Sequence, residues 1–292
     1  MRLFDTHSHL DDEQFDNDRE EIIKKIWEND VKTVMEVGSS LETSLKAVNI
    51  ANSHDFIYAS VGIHPEFAEN ADDEDFQKIK TIAETEPKVK AIGEIGIDYY
   101  YDDSAPRESQ LNCFQNQILI AKELDLPIIV HDRQSKGDTL KVLKDMNVTK
   151  GVIHCFSGSA ETAKILINMG FMISFTGVIT FKNAKRAIEA LKVIPIERLM
   201  IETDSSAIIL HLQAQCFEGM KQVLPAIECY NKIQGKYPSD YLSAAKLSVL
   251  YVTNSFYDEA IEVTEKYRQI DSTNIAINRL NALAYCLKKD YP

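Results

Sequence analysis

Residues 4–9 read Phe4-Asp5-Thr6-His7-Ser8-His9, an apolar strand pattern that ends in two histidines. Residues two apart on a strand share a face, so His7 and His9 are predicted to bind one ion from one edge of a sheet. An open doubly wound sheet is the alternative architecture, but such a sheet more often carries a glycine-rich phosphate loop after its first strand. Histidines at this position favour a barrel whose mouth holds a metal site.

Short apolar runs alternate with longer stretches of helical spacing from residue 1 to about residue 205. This alternation predicts right-handed βαβ units and a parallel sheet. Eight strand candidates indicate an α/β fold of the (β/α)8 TIM-barrel type, at the small end of the size range for such barrels. The strand candidates are residues 3–6, 33–37, 57–63, 90–95, 127–131, 152–156, 171–175 and 199–203. The clearest helix candidates are residues 20–26, 110–124 and 160–169.

The pattern changes after Ser205, where strand candidates cease and the spacing is helical throughout. Residues 226–230 (Ala-Ile-Glu-Cys-Tyr) align with residues 260–264 (Ala-Ile-Glu-Val-Thr) at an offset of 34 residues. This period predicts tetratricopeptide-like repeats over about 207–292, and an amphipathic helical tail is the alternative. We therefore predict two domains, a (β/α) barrel over 1–205 and an all-α repeat segment over 206–292.

The net charge of −13 bears on the class of partner. Residues 206–292 hold nine basic and nine acidic residues, so the whole net charge lies in 1–205. A protein that coats nucleic acid non-specifically is usually basic. An enzyme that holds a single phosphate through metal ions has no such need, because the cations supply positive charge locally.

Targeting signals, membrane spans and disulfides are not expected from the sequence. No apolar stretch follows a basic start, and no apolar run reaches the roughly 18 residues that span a bilayer. Cytoplasm is therefore the predicted location, with the nucleus as the alternative. The five cysteines are odd in number and widely spaced, which indicates buried thiols rather than a disulfide framework or a zinc finger.

Side chains of metal-ligand type recur at the ends of the predicted strands. Glu94, His131, His154 and Asp204 each follow an apolar run, as His7 and His9 do. In a barrel the carboxyl ends of all strands converge on one mouth, which is where active sites lie. Nitrogen and oxygen ligands without thiolate suit Zn²⁺, Mn²⁺ or Mg²⁺. The sequence therefore predicts a site for two divalent cations, with a carboxylate such as Glu94 placed to bridge them.

At these residues the chain resembles the TatD-type metal-dependent deoxyribonucleases of the amidohydrolase superfamily. The resemblance covers about residues 1–205 and is carried by a series of short strings that are specific when taken together. They are residues 4–10 (FDTHSHL), 61–65 (VGIHP), 93–101 (GEIGIDYYY), 130–133 (VHDR), 154–158 (HCFSG) and 201–205 (IETDS).

The resemblance implies roles for eight residues. The metal ligands that it implies are His7, His9, Glu94, His131, His154 and Asp204. It also places His64 and Arg133 near the substrate phosphate, and the alternatives are a strand-end hydrogen bond for His64 and a surface ion pair for Arg133. Glu202 shares the strand face of Asp204 and is either a proton relay or a structural acid.

The reaction that the resemblance implies is trimming of DNA from an end, with RNA and single strands as further substrates. Divalent cations activate water for attack and stabilise the leaving oxygen. Asp204 is the expected general base, and Glu94 shares the catalytic centre with it.

The chain departs from the family directly after Ser205. The family continues with a proline-containing loop and with helices that cover the first and last strands, whereas residues 206–210 here begin the repeat-like segment. A barrel without its closing layer exposes the apolar outer faces of its terminal strands. Either the helix near residue 206 substitutes for that layer, or the two halves form a fusion that was not selected as a unit.

Three functions remain open from the sequence. The first is a metal-dependent deoxyribonuclease acting on DNA, including single-stranded ends. The second is an interaction protein whose C-terminal repeats bind a protein partner beside an inactive barrel. The third is an amidohydrolase that acts on a small ester or amide with the same ligand set.

Overall fold

Eight parallel strands form one sheet, in chain order, in this computed structural model. The structure describes residues 3–100, 104–180, 184–203, 222–236, 238 and 240–288. Each strand pairs in parallel with the next one along the chain, which confirms the predicted barrel topology. The strands are β1 (Leu3–Ser8), β2 (Val31–Val37), β3 (Ile57–Val61), β4 (Val89–Asp98), β5 (Ile128–Arg133), β6 (Gly151–Ile153), β7 (Met172–Phe175) and β8 (Leu199–Ile201).

A helix connects each strand to the next, as right-handed βαβ units require. These helices are α1 (Arg19–Glu28), α2 (Leu41–Ser53), α3 (Asp73–Thr85), α4 (Arg107–Glu123), α5 (Asp138–Asp145), α6 (Ala160–Asn168) and α7 (Lys185–Leu191). Local sequence determines where several of them begin. Ser40 and Thr43 form a capping box at the start of α2, and the Asp72 carboxylate accepts backbone N–H groups at the start of α3.

Several strand ends differ from the prediction. Strands β1 and β5 extend to Ser8 and Arg133, and β3 ends at Val61. Strand β4 continues past residue 95 to Asp98, because its pairing with β5 extends through Asp98 and Arg133. Strands β6 and β8 end earlier than expected, at Ile153 and Ile201. The chain turns just after β6, where Cys155 has a φ of 44° that is incompatible with an extended strand.

The interior of the barrel is filled by inward-facing apolar side chains. The buried members of this layer are Val37, Ala91, Ile129 and Val152, and Met35, Met172 and Met200 pack against them. The neighbouring strands β4 and β5 approach closely at Gly96, whose φ is 144°. A Cβ at this position would collide with the carbonyl oxygen of His131, so only glycine fits beside the strand that carries that histidine.

The chain folds into two compact units, residues 1–204 and 205–292. The described part of the second unit is helical, as predicted, and comprises α8 (Val223–Lys236), α9 (Tyr241–Thr253), α10 (Tyr257–Ile270) and α11 (Ile275–Lys288). Helices α8 and α10 begin 34 residues apart, and so do α9 and α11. The helix starts therefore follow the period seen in the sequence, and the tetratricopeptide assignment stays a prediction.

The buried core of this helical unit explains the sequence period. Ala226 and Ala260 are both fully buried, and Tyr230 and Thr264 occupy corresponding buried positions one turn later. Small side chains such as those of Ala226 and Ala260 let neighbouring helices approach closely.

No helix within the described ranges combines the length and apolar character needed to cross a bilayer. Cys113, Cys155, Cys229 and Cys286 are free thiols, and Cys216 lies outside the described residues.

Candidate metal centre

The histidines and acids that end the barrel strands meet at one mouth. His7 lies in β1, Glu94 in β4 and His131 in β5, while His9 and His154 directly follow β1 and β6. The carboxyl ends of parallel barrel strands converge, so residues separated by more than a hundred positions become neighbours. Nε2 of His7 lies 3.0 Å from Nε2 of His9, and the ring of His7 stacks on that of His154 with centroids 4.1 Å apart.

Glu94 lies at the middle of this cluster and is buried. Its Oε1 is 2.7 Å from Nε2 of His154 and 2.8 Å from Nδ1 of His131. Its Oε2 is 3.4 Å from Nε2 of His7 and 3.8 Å from Nε2 of His9. Burial opposes ionisation of Glu94, but the surrounding imidazoles outweigh it and hold the pKa of this carboxyl well below its usual value.

Among the residues that the structure describes, three groups of three side chains each bring their ligand atoms within 4.8 Å of one another. The groups are His7, His9 and Glu94; His64, Glu94 and His131; and His7, His154 and Glu202. Glu94 belongs to two of these groups, so its two oxygens can serve two neighbouring positions. The donors are imidazole nitrogens and carboxylate oxygens, the set that suits Zn²⁺, Mn²⁺ or Mg²⁺. The residues present therefore fit divalent cations.

Asp98 belongs to the same cluster, although it was not among the site residues predicted from the sequence. Its Oδ2 lies 3.1 Å from Nε2 of His131, so both ring nitrogens of His131 face carboxylates. Burial opposes the charge on His131, but the bonds to Asp98 and Glu94 outweigh it and raise its pKa. The signal was present in the sequence, because Asp98 follows Glu94 by four residues on a strand and therefore shares its face.

The structure places His64 at the edge of the cluster. Its Nδ1 accepts the backbone N–H of Glu66 at 3.2 Å, so the strand-end hydrogen bond considered as an alternative does form. Its Nε2 lies 3.6 Å from Oε1 of Glu94. Burial lowers the pKa of His64 to about 3, against the opposing effect of Glu94. The two interpretations of His64 are thus compatible, since one nitrogen caps a turn while the other faces the site.

Arg133 ends β5 on the side of the mouth that carries Asp98. Its guanidinium carbon lies 3.7 Å from the centroid of the Tyr100 ring, a cation–π geometry. Burial of Asp98 opposes its ionisation, but the hydrogen bonds to His131 and to the backbone N–H of Tyr100, with a smaller contribution from the charge of Arg133, hold its pKa below the usual value. Arg133 is therefore next to the cluster, where it can attract an anion.

Glu202, just after β8, has the contacts of an anchoring acid. Its Oε1 accepts the backbone N–H of Cys155 at 2.5 Å, and its Oε2 accepts the hydroxyl of Ser174 at 2.5 Å. Oε1 also lies 3.9 Å from Nδ1 of His154. Glu202 thus fixes the turn that carries His154. Asp204, predicted as a metal ligand and general base, lies outside the described residues.

Comparison with known proteins gives the same family over the barrel. Residues 4–213 match the family model described as TatD related DNase. The chain is 44% identical over 211 residues to the metal-dependent hydrolase YabD of Bacillus subtilis, a match that covers 72% of this chain and 82% of that protein. It is 32% identical over 206 residues to the 3'-5' ssDNA/RNA exonuclease TatD of Cronobacter sakazakii, covering 70% of this chain and 78% of that protein.

Solved structures agree with the sequence comparison. The crystal structure of YjjV, a TatD homologue of Escherichia coli, matches with a TM-score of 0.66 and 30% identity, over 70% of this chain and 79% of that one. A TatD family hydrolase of Entamoeba histolytica matches with a TM-score of 0.62 and 28% identity, over 70% of this chain and 74% of that one. The chain therefore belongs to the TatD family of metal-dependent hydrolases, with residues 4–213 as its family region.

Proposed function

We propose that the chain hydrolyses phosphodiester bonds of DNA from a strand end, using two divalent cations held at the barrel mouth. The observation that carries this proposal is the position of Glu94, whose two oxygens face different imidazoles and serve two ligand groups. Two-cation sites with a shared carboxylate suit in-line displacement at phosphorus. The relationship to an exonuclease named for single-stranded DNA and RNA supports nucleic acid as the substrate.

The cations, when bound, supply activated water and neutralise charge on the leaving oxygen. The chain's own residues hold them, and we propose His7, His9, Glu94, His131, His154 and Asp204 as ligands. Imidazoles that contact buried carboxylates are fixed in orientation, which lowers the cost of assembling such a site. Asp204 is proposed as the group that accepts the proton of the attacking water, on the strength of its sequence position alone.

Arg133 and His64 are proposed to hold the phosphate. Arg133 brings a permanent positive charge to the edge of the cluster, where it can attract a phosphate oxygen. His64 directs Nε2 toward the site because its other nitrogen accepts a backbone N–H. These contacts are local, so they are compatible with a chain whose net charge is −13.

The test is cleavage of a short, end-labelled oligonucleotide by the full chain in Mg²⁺, in Mn²⁺ and in chelator. We expect metal-dependent shortening from one end, lost in both Asp204→Ala and Glu94→Gln. Glu69→Gln is the matched control, since Glu69 is exposed. Fluorescence of Trp27, the only tryptophan, verifies that the barrel of each variant is folded.

Three outcomes would contradict the proposal. Full cleavage by Asp204→Ala would exclude the proposed base. Inert DNA with a metal-loaded, folded protein that hydrolyses a small ester or amide would point to a small-molecule amidohydrolase with the same ligands. If neither substrate reacts and the helical segment captures a protein, the repeat-based interaction role is favoured instead.

A further inference from the structure

The Arg133 and Tyr100 side chains form a stacked pair beside the proposed catalytic centre. The guanidinium of Arg133 lies 3.7 Å from the centroid of the Tyr100 ring. The Tyr100 side chain is nevertheless 48% exposed, although it belongs to a segment that directly follows a buried strand. A large aromatic ring that is half-exposed at the mouth of a site offers aromatic surface to a planar ligand.

This pair is tied to the centre through Asp98. One oxygen of Asp98 accepts the backbone N–H of Tyr100 at 2.8 Å, and the other lies 3.1 Å from Nε2 of His131. His131 in turn contacts Glu94 at 2.8 Å. The Tyr100 backbone is therefore two side chains away from Glu94. The Tyr100 ring packs on Arg133, so a group that lies on the ring would be next to the residue proposed to hold the phosphate.

The segment that presents Tyr100 is held from both sides. The backbone N–H of Tyr99 donates to the carbonyl of Arg133 at 3.0 Å, which continues the pairing of β4 with β5. The Tyr99 hydroxyl donates to Asp138 at 2.9 Å, and Arg107 donates to the same carboxylate at 2.6 Å. These bonds fix the backbone that precedes Tyr100, and the contact with Arg133 positions its ring, so less ordering is needed when a ligand stacks on it.

We propose that Tyr100 is the stacking platform for the unpaired nucleobase next to the scissile phosphodiester, with Arg133 packed against the ring and directed at the phosphate. This inference rests on the proposed function. Every base has a flat π-face, so stacking on an aromatic ring recognises single strands without reading sequence. A paired base inside a duplex has both faces covered by its neighbours, so the platform selects single-stranded or frayed ends.

The experiment measures binding of a short single strand with phosphorothioate linkages, which resist hydrolysis, to the full chain in Mg²⁺. A second strand of the same length lacks the bases of its terminal nucleotides at both ends. Fluorescence anisotropy gives Kd for both strands with the wild type, Tyr100→Leu and Tyr100→Phe. The matched control is Tyr58→Leu. The Tyr58 ring also pairs with a cation, since Nζ of Lys88 lies 4.9 Å from its centroid. Tyr58 lies near the start of β3, however, and hence at the other end of the barrel.

We expect the wild type to bind the complete strand about tenfold more tightly than the base-less one, within the range measured for base–aromatic stacking. Tyr100→Leu should remove that preference, while Tyr100→Phe and Tyr58→Leu keep it. Equal weakening of both strands in Tyr100→Leu would show that the ring only supports Arg133, and would overturn the proposal. A wild type that cleaves DNA but binds both strands equally would overturn the stacking proposal and leave the proposed function standing. A wild type that neither binds nor cleaves DNA would overturn the proposed function as well.

Discussion

Asp5 in β1 accepts two hydrogen bonds from Thr203, which follows β8. The backbone N–H of Thr203 lies 3.0 Å from Oδ1 of Asp5, and its hydroxyl lies 2.6 Å from Oδ2. The hydroxyl of Thr6 adds a bond to the carbonyl of Ile201 at 3.1 Å. Within the described residues, backbone pairing joins each strand to the next but not β8 to β1. Side chains therefore join the first and last strands at the point where the barrel closes.

Replacing Asp5 should weaken this junction. Asp5→Ala removes the acceptor of both Thr203 bonds and of the bond from the backbone N–H of His7, which predicts a loss of about 2 kcal/mol in the free energy of unfolding. Urea unfolding followed by Trp27 fluorescence measures this for the barrel, because Trp27 lies in α1 and the chain has no other tryptophan. In a double-mutant cycle with Thr203→Val, the two changes should be coupled. If the two losses in the free energy of unfolding were strictly additive, the contact between Asp5 and Thr203 would not contribute to closing the barrel.

A buried acid on β2 should make barrel stability depend on pH. Glu36 is fully buried and accepts the backbone N–H of Asp11 at 2.7 Å. Burial, reinforced by the neighbouring Asp11 carboxylate, raises the pKa of Glu36 well above its usual value. The folded state thus holds this proton more tightly than the unfolded state does. The contribution of Glu36 to stability is complete below the unfolded pKa and declines as pH rises through the folded pKa.

Glu36→Gln should therefore stabilise the barrel at pH 8, because the amide keeps an oxygen acceptor without a charge to bury. The gain in the free energy of unfolding should shrink toward about pH 4, near the pKa of an unperturbed glutamate. Urea unfolding at several pH values, again by Trp27 fluorescence, tests this against the exposed control Glu69→Gln. If Glu36→Gln destabilised the barrel equally at about pH 4 and at pH 8, the raised pKa assigned to Glu36 would be contradicted.

Metal loading should depend on Glu94. In Glu94→Gln the amide nitrogen replaces an oxygen that faces two imidazoles at 2.7 and 2.8 Å, so we expect the bound metal to decrease strongly. Ligand binding to the folded state stabilises it by about 2.7 kcal/mol at one hundred times Kd. Mn²⁺ should accordingly raise the thermal midpoint of the wild type much more than that of Glu94→Gln. Chelator should reverse the rise, and an equal metal content in the two proteins, measured by elemental analysis, would count against the site.

Glu202 is predicted to act as an anchor and not as a proton relay. Its two oxygens accept the N–H of Cys155 and the hydroxyl of Ser174. Glu202→Gln should lower the free energy of unfolding by about 1–3 kcal/mol, because a charged acceptor is replaced in a buried position. The turnover of the folded, metal-saturated variant should stay within about tenfold of the wild type, since general acid–base groups contribute about a hundredfold or more. A larger loss of kcat with unchanged stability would support the relay.

The barrel and its candidate ligands could be predicted from sequence because both have strong local signals. Apolar runs alternate with helical spacing, and each run that ends in His or Glu identifies a strand and a candidate ligand together. His7, Glu94, His131 and His154 were identified in this way, and the structure brings them together around the Glu94 carboxylate. The family resemblance over the same strings is confirmed by the family model.

Tertiary structure decided what depends on contacts between strands that are far apart in sequence. Asp5 meets Thr203 only because the sheet curls until β1 and β8 are adjacent. Arg133 covers Tyr100 because β4 pairs with β5 in a register that sets Asp98 opposite Arg133. The position of Asp98 against His131 depends on the register of β4 and β5, which no local pattern specifies. Periodicity reports which face a side chain occupies, whereas pairing register and barrel closure determine which side chains share that face, and these are properties of the folded chain as a whole.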